Sequence, residues 1–284
     1  MQLQRGEESI EESIQQSETI TRDLQRQIDE LKAENLQLHE QLASKEQFTA
    51  MIAHDLRGPL SPIINYAQMI ARHARLLVEG KEISAQQTAR KGSAIQRNTS
   101  IIISQAQRMS RLVNDLLDTS HISTGTFHLH QEEADLVKLV KDMVEQLRPV
   151  APYHKLVVVA PRKAIRGSWD AGRLQQALGN LLDNAIKYSD EHTVVTVTVA
   201  KEQDTVRVSV NNQGATISSS EVGSLFRPYS RLQNASTHQG SGLGLYITKS
   251  IIEAHKGVLR LEKIADEEST DQPRGTTFTF ELPL

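Results

Sequence analysis

A histidine and an acid stand side by side in the sequence, as His54 and Asp55. A neutral imidazole has a nucleophilic ring nitrogen, and its usual pKa of about 6.5 leaves most of it unprotonated at neutral pH. To attack phosphorus with one nitrogen the ring should keep its proton on the other, and Asp55 is placed to accept that N–H. The alternative is a solvated surface pair. Pro59 follows closely and is costly inside a helix, which favours a locally distorted, reactive site.

A segment far downstream, NLLDNAIKYS, offers ligands for a metal and for phosphate. Asn180 and Asn184 are four residues apart and therefore share one face of a helix. Amide oxygens suit Mg²⁺, which is hard and keeps its waters while it bridges phosphates. Lys187 is placed one turn on to meet phosphate oxygens, and Tyr188 to line the same cleft. The alternative is two polar positions in an apolar helix, but buried amides require partners, so a ligand site is the better account.

A glycine-rich segment, GSGLGL, precedes a helix that opens at Leu243. Glycines let the backbone approach phosphates closely, and the start of a helix adds partial positive charge. Such a string is weak when taken alone, because glycines before helices are common. We predict that residues 230–239 form a lid over a nucleotide. Its candidate phosphate contacts, each of which could equally face solvent, are Arg227, Arg231 and His238.

Composition restricts the class of protein. A chain of 284 residues has room for about two domains. Its net charge of −3 does not indicate binding to nucleic acid or to an acidic membrane. The lack of cysteine excludes disulfides and thiolate chemistry. No apolar run approaches the roughly 20 residues of a membrane span, and the glutamate-rich start is no signal peptide. We therefore expect a cytoplasmic protein without a membrane segment.

Residues 7–50 carry a heptad pattern. Leu24, Leu31 and Leu38 are seven apart, and a companion series includes Ile28 and Asn35. This period predicts a parallel coiled coil, and a polar residue in the seam favours two strands. The alternative is a single solvated helix, which would leave its leucines exposed.

The helix is predicted to run on through the histidine, with Pro59 as a kink and not a stop. A turn is expected between Gly80 and Gly92, followed by a second long helix with apolar residues from Ile95 to Leu117. Two such helices cannot bury their apolar stripes alone, whereas doubling them across a two-fold axis gives a four-helix bundle. Residues 121–130 are predicted to be a linker.

The rest of the chain alternates between strand-like and helical runs, which predicts an α+β sandwich with helices on one face of a mixed sheet. Helices are expected around 135–148, 173–188 and 243–256. Strands are expected at 156–160, 193–200, 205–210, 258–262 and 276–282.

Several motifs resemble those of one known family. FTAMIAHDLRGPL resembles the H-box of sensor histidine kinases of two-component systems, NLLDNAIKYS their N-box and GSGLGL their second glycine box. LFRPYSR is similar to the F-box, and Gly275 opens a stretch similar to the last glycine motif. The resemblance covers roughly residues 46–284. It implies a helical hairpin for dimerisation and histidine phosphotransfer (47–124) and a Bergerat-type ATP-binding domain (125–284). The heptads predict a coiled-coil signalling helix (1–46) before them.

The resemblance also implies a function. ATP with Mg²⁺ would phosphorylate His54, with Asp55 orienting the ring, and the phosphoryl group would pass to an Asp in the receiver domain of a response regulator. The protein would act as a homodimer. Asn184 would be the metal ligand, and Arg57 is a weaker candidate for a phosphate contact. The implied ATP-binding residues are Asn180, Asn184, Lys187, Tyr188, Asn212, Gly214, Gly240, Gly242, Leu243 and Gly244.

Two departures from the family pattern have consequences. Asn212 stands where the family has an Asp that accepts a hydrogen bond from the adenine amino group, and Thr216 replaces a glycine. An amide oxygen still accepts this bond but without the charge, so weak ATP binding is expected. Gly58 stands where many of these enzymes carry Thr or Asn to position a water, so weak phosphatase activity toward the regulator is expected.

Two other functions are compatible with parts of the sequence. A pseudokinase would be a dimeric signalling scaffold whose altered glycine box no longer supports turnover. An ATP-driven clamp of the same nucleotide-binding superfamily would leave the H-box unexplained. Labelling with ATP separates these alternatives from a kinase.

Overall fold

The computed structural model describes residues 2–78, 85–214, 217–230, 241–263 and 275–284. The expectations for Gly80, Thr216 and Gly240 lie outside the described residues. So do those for Arg231 and His238, and for all of the lid except its first residue.

Two long helices form the first part of the molecule. α1 (Gln2–Val78) runs without a break through Pro59 and Pro62, so the predicted continuity past the histidine is confirmed. α2 (Ala85–Ser123) packs against it as a hairpin. Residues 85–92 are helical, so the predicted turn was too long; their sequence is rich in alanine, glutamine, arginine and lysine, which favour helix. α2 also takes in the first three residues of the predicted linker.

The apolar seam residues that the structure describes are exposed within this single chain. Leu24, Ile28, Leu31 and Leu38 each keep 44–63% of their surface open to solvent. The hairpin likewise leaves Ile64 and other apolar side chains exposed. A hairpin alone therefore does not bury the stripes that the sequence predicts.

The second part is a layer of helices on a sheet. Its elements are β1 (Glu132–Asp135), α3 (Leu136–Leu147), β2 (Lys155–Val159), β3 (Arg166–Trp169), α4 (Ala171–Tyr188), β4 (Val194–Glu202), β5 (Thr205–Gln213), α5 (Ser219–Leu225), α6 (Gly244–Ala254), β6 (Val258–Lys263) and β7 (Gly275–Pro283). A short 3₁₀ helix follows α3.

The main sheet has the order β2-β4-β5-β7-β6, in which β2 and β4 are parallel and the other pairs antiparallel. All five predicted strands and all three predicted helices are present, so the mixed α+β sandwich is confirmed. β1 and β3 form a separate two-stranded sheet that the sequence did not predict, because neither strand shows an apolar alternation. α5 was also not predicted.

The core lies between the sheet and α3, α4 and α6. Val206, Val208 and Val210 alternate inward along β5, and Leu178 and Ile251 of the covering helices are fully buried. Within the described part of the chain, no helix has the length and apolar content to cross a membrane.

Candidate nucleotide and phosphoacceptor site

The histidine of the H-box lies on the outer surface of α1. The His54 side chain is 86% exposed, whereas Asp55 is mostly buried at 19%, and Nδ1 of His54 is 3.1 Å from Oδ1 of Asp55. An ionised carboxylate only accepts hydrogen bonds, so Nδ1 carries the proton and Nε2 keeps its lone pair. The pair therefore presents Nε2 to solvent as the nucleophilic nitrogen.

A cavity of about 760 Å³ connects the helical hairpin to the ATP-binding domain of the same chain. Asp55 lines one side of it. The other walls come from α2, from α4 and from the segment before α6, and they include Arg108, Arg111, Asn180 and Ser241. The structure thus brings residues of the H-box, the N-box and the second glycine box to one space.

The two asparagines of the N-box differ in their contacts. Asn180 donates from Nδ2 to the carbonyl oxygen of Gly244 at 3.1 Å and to Oγ1 of Thr248 at 3.4 Å, so it fastens α4 to the first turn of α6. Asn184 is half-buried, and its side chain makes no hydrogen bond to the residues that the structure describes. The Asn184 amide is therefore not tied to another element, whereas the Asn180 amide is held against α6 by its Nδ2.

The last turn of α4 carries the predicted phosphate and cleft residues. Nζ of Lys187 lies 4.8 Å from the centre of the Tyr188 ring, a cation–π arrangement at the C-terminal end of α4. Both side chains are half-buried. Arg57 and Arg227, the weaker candidates, are exposed.

Asn212 is the last of the inward-facing residues of β5. Its side chain is 3% exposed, and its Nδ2 is buried without a hydrogen-bond partner in the described part of the chain. Gly214 lies two residues on, where a Cβ atom would stand 2.2 Å from the carbonyl oxygen of Tyr188. Only glycine fits this contact, which joins the end of β5 to the end of α4.

The second glycine box makes a tight turn before α6. Gly242 has φ +69, and a Cβ atom there would lie 2.9 Å from the carbonyl oxygen of Ser230. Leu243 is buried and precedes the first residue of α6, Gly244. Tyr229 donates its backbone N–H to the carbonyl oxygen of Gly242. Burial, and to a smaller extent the neighbouring Tyr246, raises the pKa of the Tyr229 phenol to about 12. The phenol therefore stays protonated at neutral pH.

Asp170 fixes the start of α4. Its carboxylate accepts backbone N–H groups from Arg173 at 3.0 Å and from His130 of the linker at 2.9 Å. Its own N–H donates to Nε2 of the buried His255 at 2.9 Å. Burial raises the pKa of Asp170, but these hydrogen bonds and the nearby Arg173 outweigh it, so the pKa is lowered overall.

A polar contact that the sequence did not predict joins α4 to α2. Asp118 is buried and accepts hydrogen bonds at 2.7 Å from both Nη1 of Arg173 and Nε2 of Gln176. A looser ion pair, Arg111 to Asp183 at 3.6 Å, links the same helices. These partners are far apart in sequence and follow no local pattern, so no signal in one sequence could have found them.

Two carboxyl groups near the cavity have raised pKa values. Burial, then the charge of Asp118, raises the pKa of Asp115 to about 6, and Arg111 only partly offsets this. Burial also raises the pKa of Asp183, and the positive charge of Arg111 again opposes this rise. The cavity wall on α2 thus holds one acid, Asp115, that resists ionisation, and α4 carries a second, Asp183.

The residues fit ATP and its magnesium ion. The buried, unpartnered Nδ2 of Asn212 can donate to a ring nitrogen of a base, and the turn at Gly242 leaves backbone close to the cavity. The described residues contain no cluster of three or more acidic, histidine or cysteine ligands. A nucleotide-borne Mg²⁺ needs no such cluster, because phosphates and waters supply most of its ligands, so the Asn184 oxygen suits it.

Comparisons with known proteins identify both halves. Residues 44–125 match the family model for the His Kinase A (phospho-acceptor) domain. Residues 169–284 match the model for the histidine kinase-, DNA gyrase B- and HSP90-like ATPase.

Curated relatives share this arrangement. The chain is 28% identical to the sensor histidine kinase WalK of Bacillus subtilis over 84% of its own length and 36% of the relative. It is 30% identical to the adaptive-response sensory kinase SasA of Crocosphaera subtropica, over 89% of this chain and 63% of that protein. The chain therefore spans between about a third and two thirds of these relatives.

The fold is also similar to solved structures. The histidine kinase ThkA, solved in complex with the response regulator protein TrrA, matches with a TM-score of 0.54 and 23% identity, over 86% of this chain and 63% of that one. At this identity the likeness shows the fold alone. The two family models and the curated relatives together mean that the chain belongs to the sensor histidine kinases of two-component systems.

Proposed function

We propose that this chain transfers the γ-phosphoryl group of ATP to Nε2 of its own His54 and then passes it to an aspartate of a response regulator. The observation that carries this proposal is the hydrogen-bonded pair of an exposed imidazole and a buried carboxylate beside the cavity that Asn180 lines. The relatives supply no support for the pseudokinase alternative.

The transfer follows from the protonation state of the pair. The lone pair on Nε2 forms a bond to the γ-phosphorus, and the bond from phosphorus to the bridging oxygen breaks, with its electrons leaving on ADP. Positive charge develops on the imidazole, and the Asp55 carboxylate stabilises it at Nδ1 and can accept the proton. As in other phosphoryl transfers, positioning and neutralisation of charge supply most of the rate.

The nucleotide would be held between α4, the end of β5 and the turn before α6. In this proposal Asn184 binds Mg²⁺, which neutralises phosphate charge, and Lys187 meets phosphate oxygens. Asn212 contacts the adenine, and Gly214, Gly242, Leu243 and Gly244 let the backbone approach. Gly240 belongs to the proposed set but lies outside the described residues.

The partners in this proposal are a second copy of the chain and a receiver domain. The exposed apolar stripes of α1 and α2 support a homodimer, because a bundle of four helices would bury them. The ThkA complex supports a response regulator as the second partner. A location in the cytoplasm stays a prediction from the sequence.

Gly58 is proposed to leave the protein with weak phosphatase activity. A Cβ atom at this exposed helical position would meet nothing within 4 Å, so a larger side chain fits there. We expect Gly58→Asn to hydrolyse the phosphorylated regulator about tenfold faster or more, a typical gain from one well-placed catalytic group. Release of inorganic phosphate from the purified phosphoregulator measures it. An unchanged rate for the variant would contradict the assignment.

The proposed kinase activity is tested with γ-labelled ATP and Mg²⁺. The wild type is expected to gain an acid-labile, base-stable label, and His54→Gln to gain none. His128→Gln is a control at another exposed histidine, and it should be labelled like the wild type. An unlabelled wild type that still binds nucleotide would contradict the proposal.

A further inference from the structure

The contact between α2 and α4 is built more firmly than a chance surface ion pair. Both oxygens of the Asp118 carboxylate are used, one by Arg173 and one by Gln176, each at 2.7 Å. The Asp118 side chain is only 7% exposed. Short charge-assisted bonds of this kind are strong, and a buried carboxylate that lost them would be left uncompensated.

Arg173 is itself held in place from several sides. The same Nη1 donates to Oε1 of Gln176 at 2.9 Å, and the guanidinium carbon lies 4.8 Å over the ring of Phe127 in the linker. The side chain that meets Asp118 therefore has little freedom to move. We call Asp118, Arg173 and Gln176 the α2–α4 clamp.

The clamp aligns two helices in opposite directions. From Asp118 back to Arg111 along α2 is about two turns, and from Arg173 forward to Asp183 along α4 is nearly three. The second ion pair, Arg111 with Asp183, joins these far positions. The N-box helix thus runs antiparallel to α2, and the two are joined by an acid of α2 with a base of α4 at one end and a base of α2 with an acid of α4 at the other.

A third contact lies beside the phosphoacceptor. Tyr229 and Leu243, which flank the glycine-box turn, line a narrow apolar cavity together with Met51, Ile52 and Leu56 of α1. These α1 residues surround His54 in sequence. All three contacts therefore place α4 and the glycine-box turn against the hairpin of the same chain, with Asp55, the neighbour of His54, lining both cavities.

We propose that Asp118 is a positioning residue that docks the ATP-binding domain onto the hairpin of its own chain, so that His54 is phosphorylated in cis. The chemistry is that of the proposed function, on which this inference rests. Asp118 does not touch the reacting atoms. It determines which of the two histidines in a dimer lies within reach of a given nucleotide.

The clamp is tested by Asp118→Asn. The rate constant of autophosphorylation should fall about tenfold or more with the KM for ATP unchanged, because a charged hydrogen-bond acceptor is lost outside the nucleotide site. Glu133→Gln is the matched control: it breaks the exposed 3.0 Å pair with Arg166, away from α2, and should not change the rate. An unchanged rate for Asp118→Asn in a wild type that is labelled would overturn the clamp but not the proposed kinase activity.

The direction of transfer is tested in mixed dimers of His54→Gln and Asn184→Ala chains that carry different tags. In cis, neither chain has both an acceptor and a nucleotide site, so no label is expected. Mixed dimers of wild type and His54→Gln should be labelled on the wild-type chain only. Label on the Asn184→Ala chain would show transfer in trans and overturn the inference.

Docking is also measured without any activity. The chain has no cysteine, so Arg111→Cys and Asp183→Cys introduce a single reactive pair. A short bis-maleimide should give a cross-linked product of monomer size. A product of dimer size would place α4 against the partner's α2 and overturn the inference even if the protein proved to have no kinase activity.

Discussion

The two halves of the molecule bury their apolar residues very differently. Every buried apolar side chain of the described core lies between Leu136 and Leu282, in the ATP-binding half. Among the described side chains of the helical half, the buried polar residues are Asn98, Asp118 and Thr119, while Leu60, Ile64 and Leu117 of its stripes are 43–54% exposed. One half thus buries its core as a single chain, whereas the other leaves apolar stripes exposed, which the proposed homodimer would bury.

This difference matches the two tasks in the proposed reaction. A nucleotide site needs elements fixed by a packed core, and Asn180 and Gly214 are held by contacts within it. A phosphoacceptor must instead be reached by both an ATP-binding domain and a regulator, and His54 is accordingly exposed on a long helix. In this account, signals from the predicted coiled coil act by shifting helices and not by changing the nucleotide site.

The largest predicted effect is a difference in stability between two isoleucine-to-alanine substitutions, one in each half of the molecule. Ile251→Ala, at a fully buried position of α6, should cost about 2–5 kcal/mol of unfolding free energy at any protein concentration. Ile64→Ala, at a position 47% exposed in the single chain, should cost stability that depends on protein concentration, because its partner is a second chain. Thermal unfolding at several concentrations measures both. A concentration-independent loss for Ile64→Ala would contradict the dimeric bundle.

A smaller effect is expected at Asp115 on the α2 wall. Its pKa of about 6 in the fold lies above the ordinary 3.8, so its contribution to stability is full below about pH 4 and is lost as pH rises through 6. Asp115→Asn stays neutral, and it should be more stable than the wild type at pH 8 by on the order of 1–2 kcal/mol after allowance for partial exposure. The advantage should vanish at pH 4. Unfolding at the two pH values measures it, and an equal difference at both would contradict the pKa.

The next effect concerns nucleotide affinity. The wild type should bind Mg-ATP weakly. Asn212→Asp should bind it about tenfold more tightly, because the hydrogen bond from the adenine amino group to a charged carboxylate is stronger than the bond to a neutral amide oxygen. Asn211→Asp is the control: Asn211 points to the other face of the sheet, where it bonds Thr277 at 2.8 Å. Calorimetric titration measures all three proteins. Equal or weaker binding by Asn212→Asp would argue against its contact with the base.

The sequence was sufficient for elements that carry a repeating pattern. Alternation predicted β5 and β7, and the spacing of apolar residues predicted the second long helix, α2. It was insufficient in two other places. The polarity of residues 85–92 suggested a turn although their residue types favour helix, and β1 and β3 are too short to show a period.

Some residues of the candidate site could likewise be predicted from local sequence patterns, and others could not. Local motifs brought His54, Asn184 and Asn212 to attention, because their residue types are unusual where they stand. Asp118 and Arg173 meet only through the tertiary fold, 55 positions apart, and each alone resembles an ordinary helix charge. Only the structure could show that they hold the two halves together.

The most direct test of the account is to find the nitrogen of His54 that carries phosphate. After incubation with Mg-ATP, NMR of ¹⁵N-histidine-labelled protein distinguishes the two ring positions. The account predicts phosphate on Nε2 of His54, because Nδ1 is hydrogen-bonded to Asp55 at 3.1 Å. Phosphate on Nδ1, or on another residue while His54 stays unmodified, would contradict it.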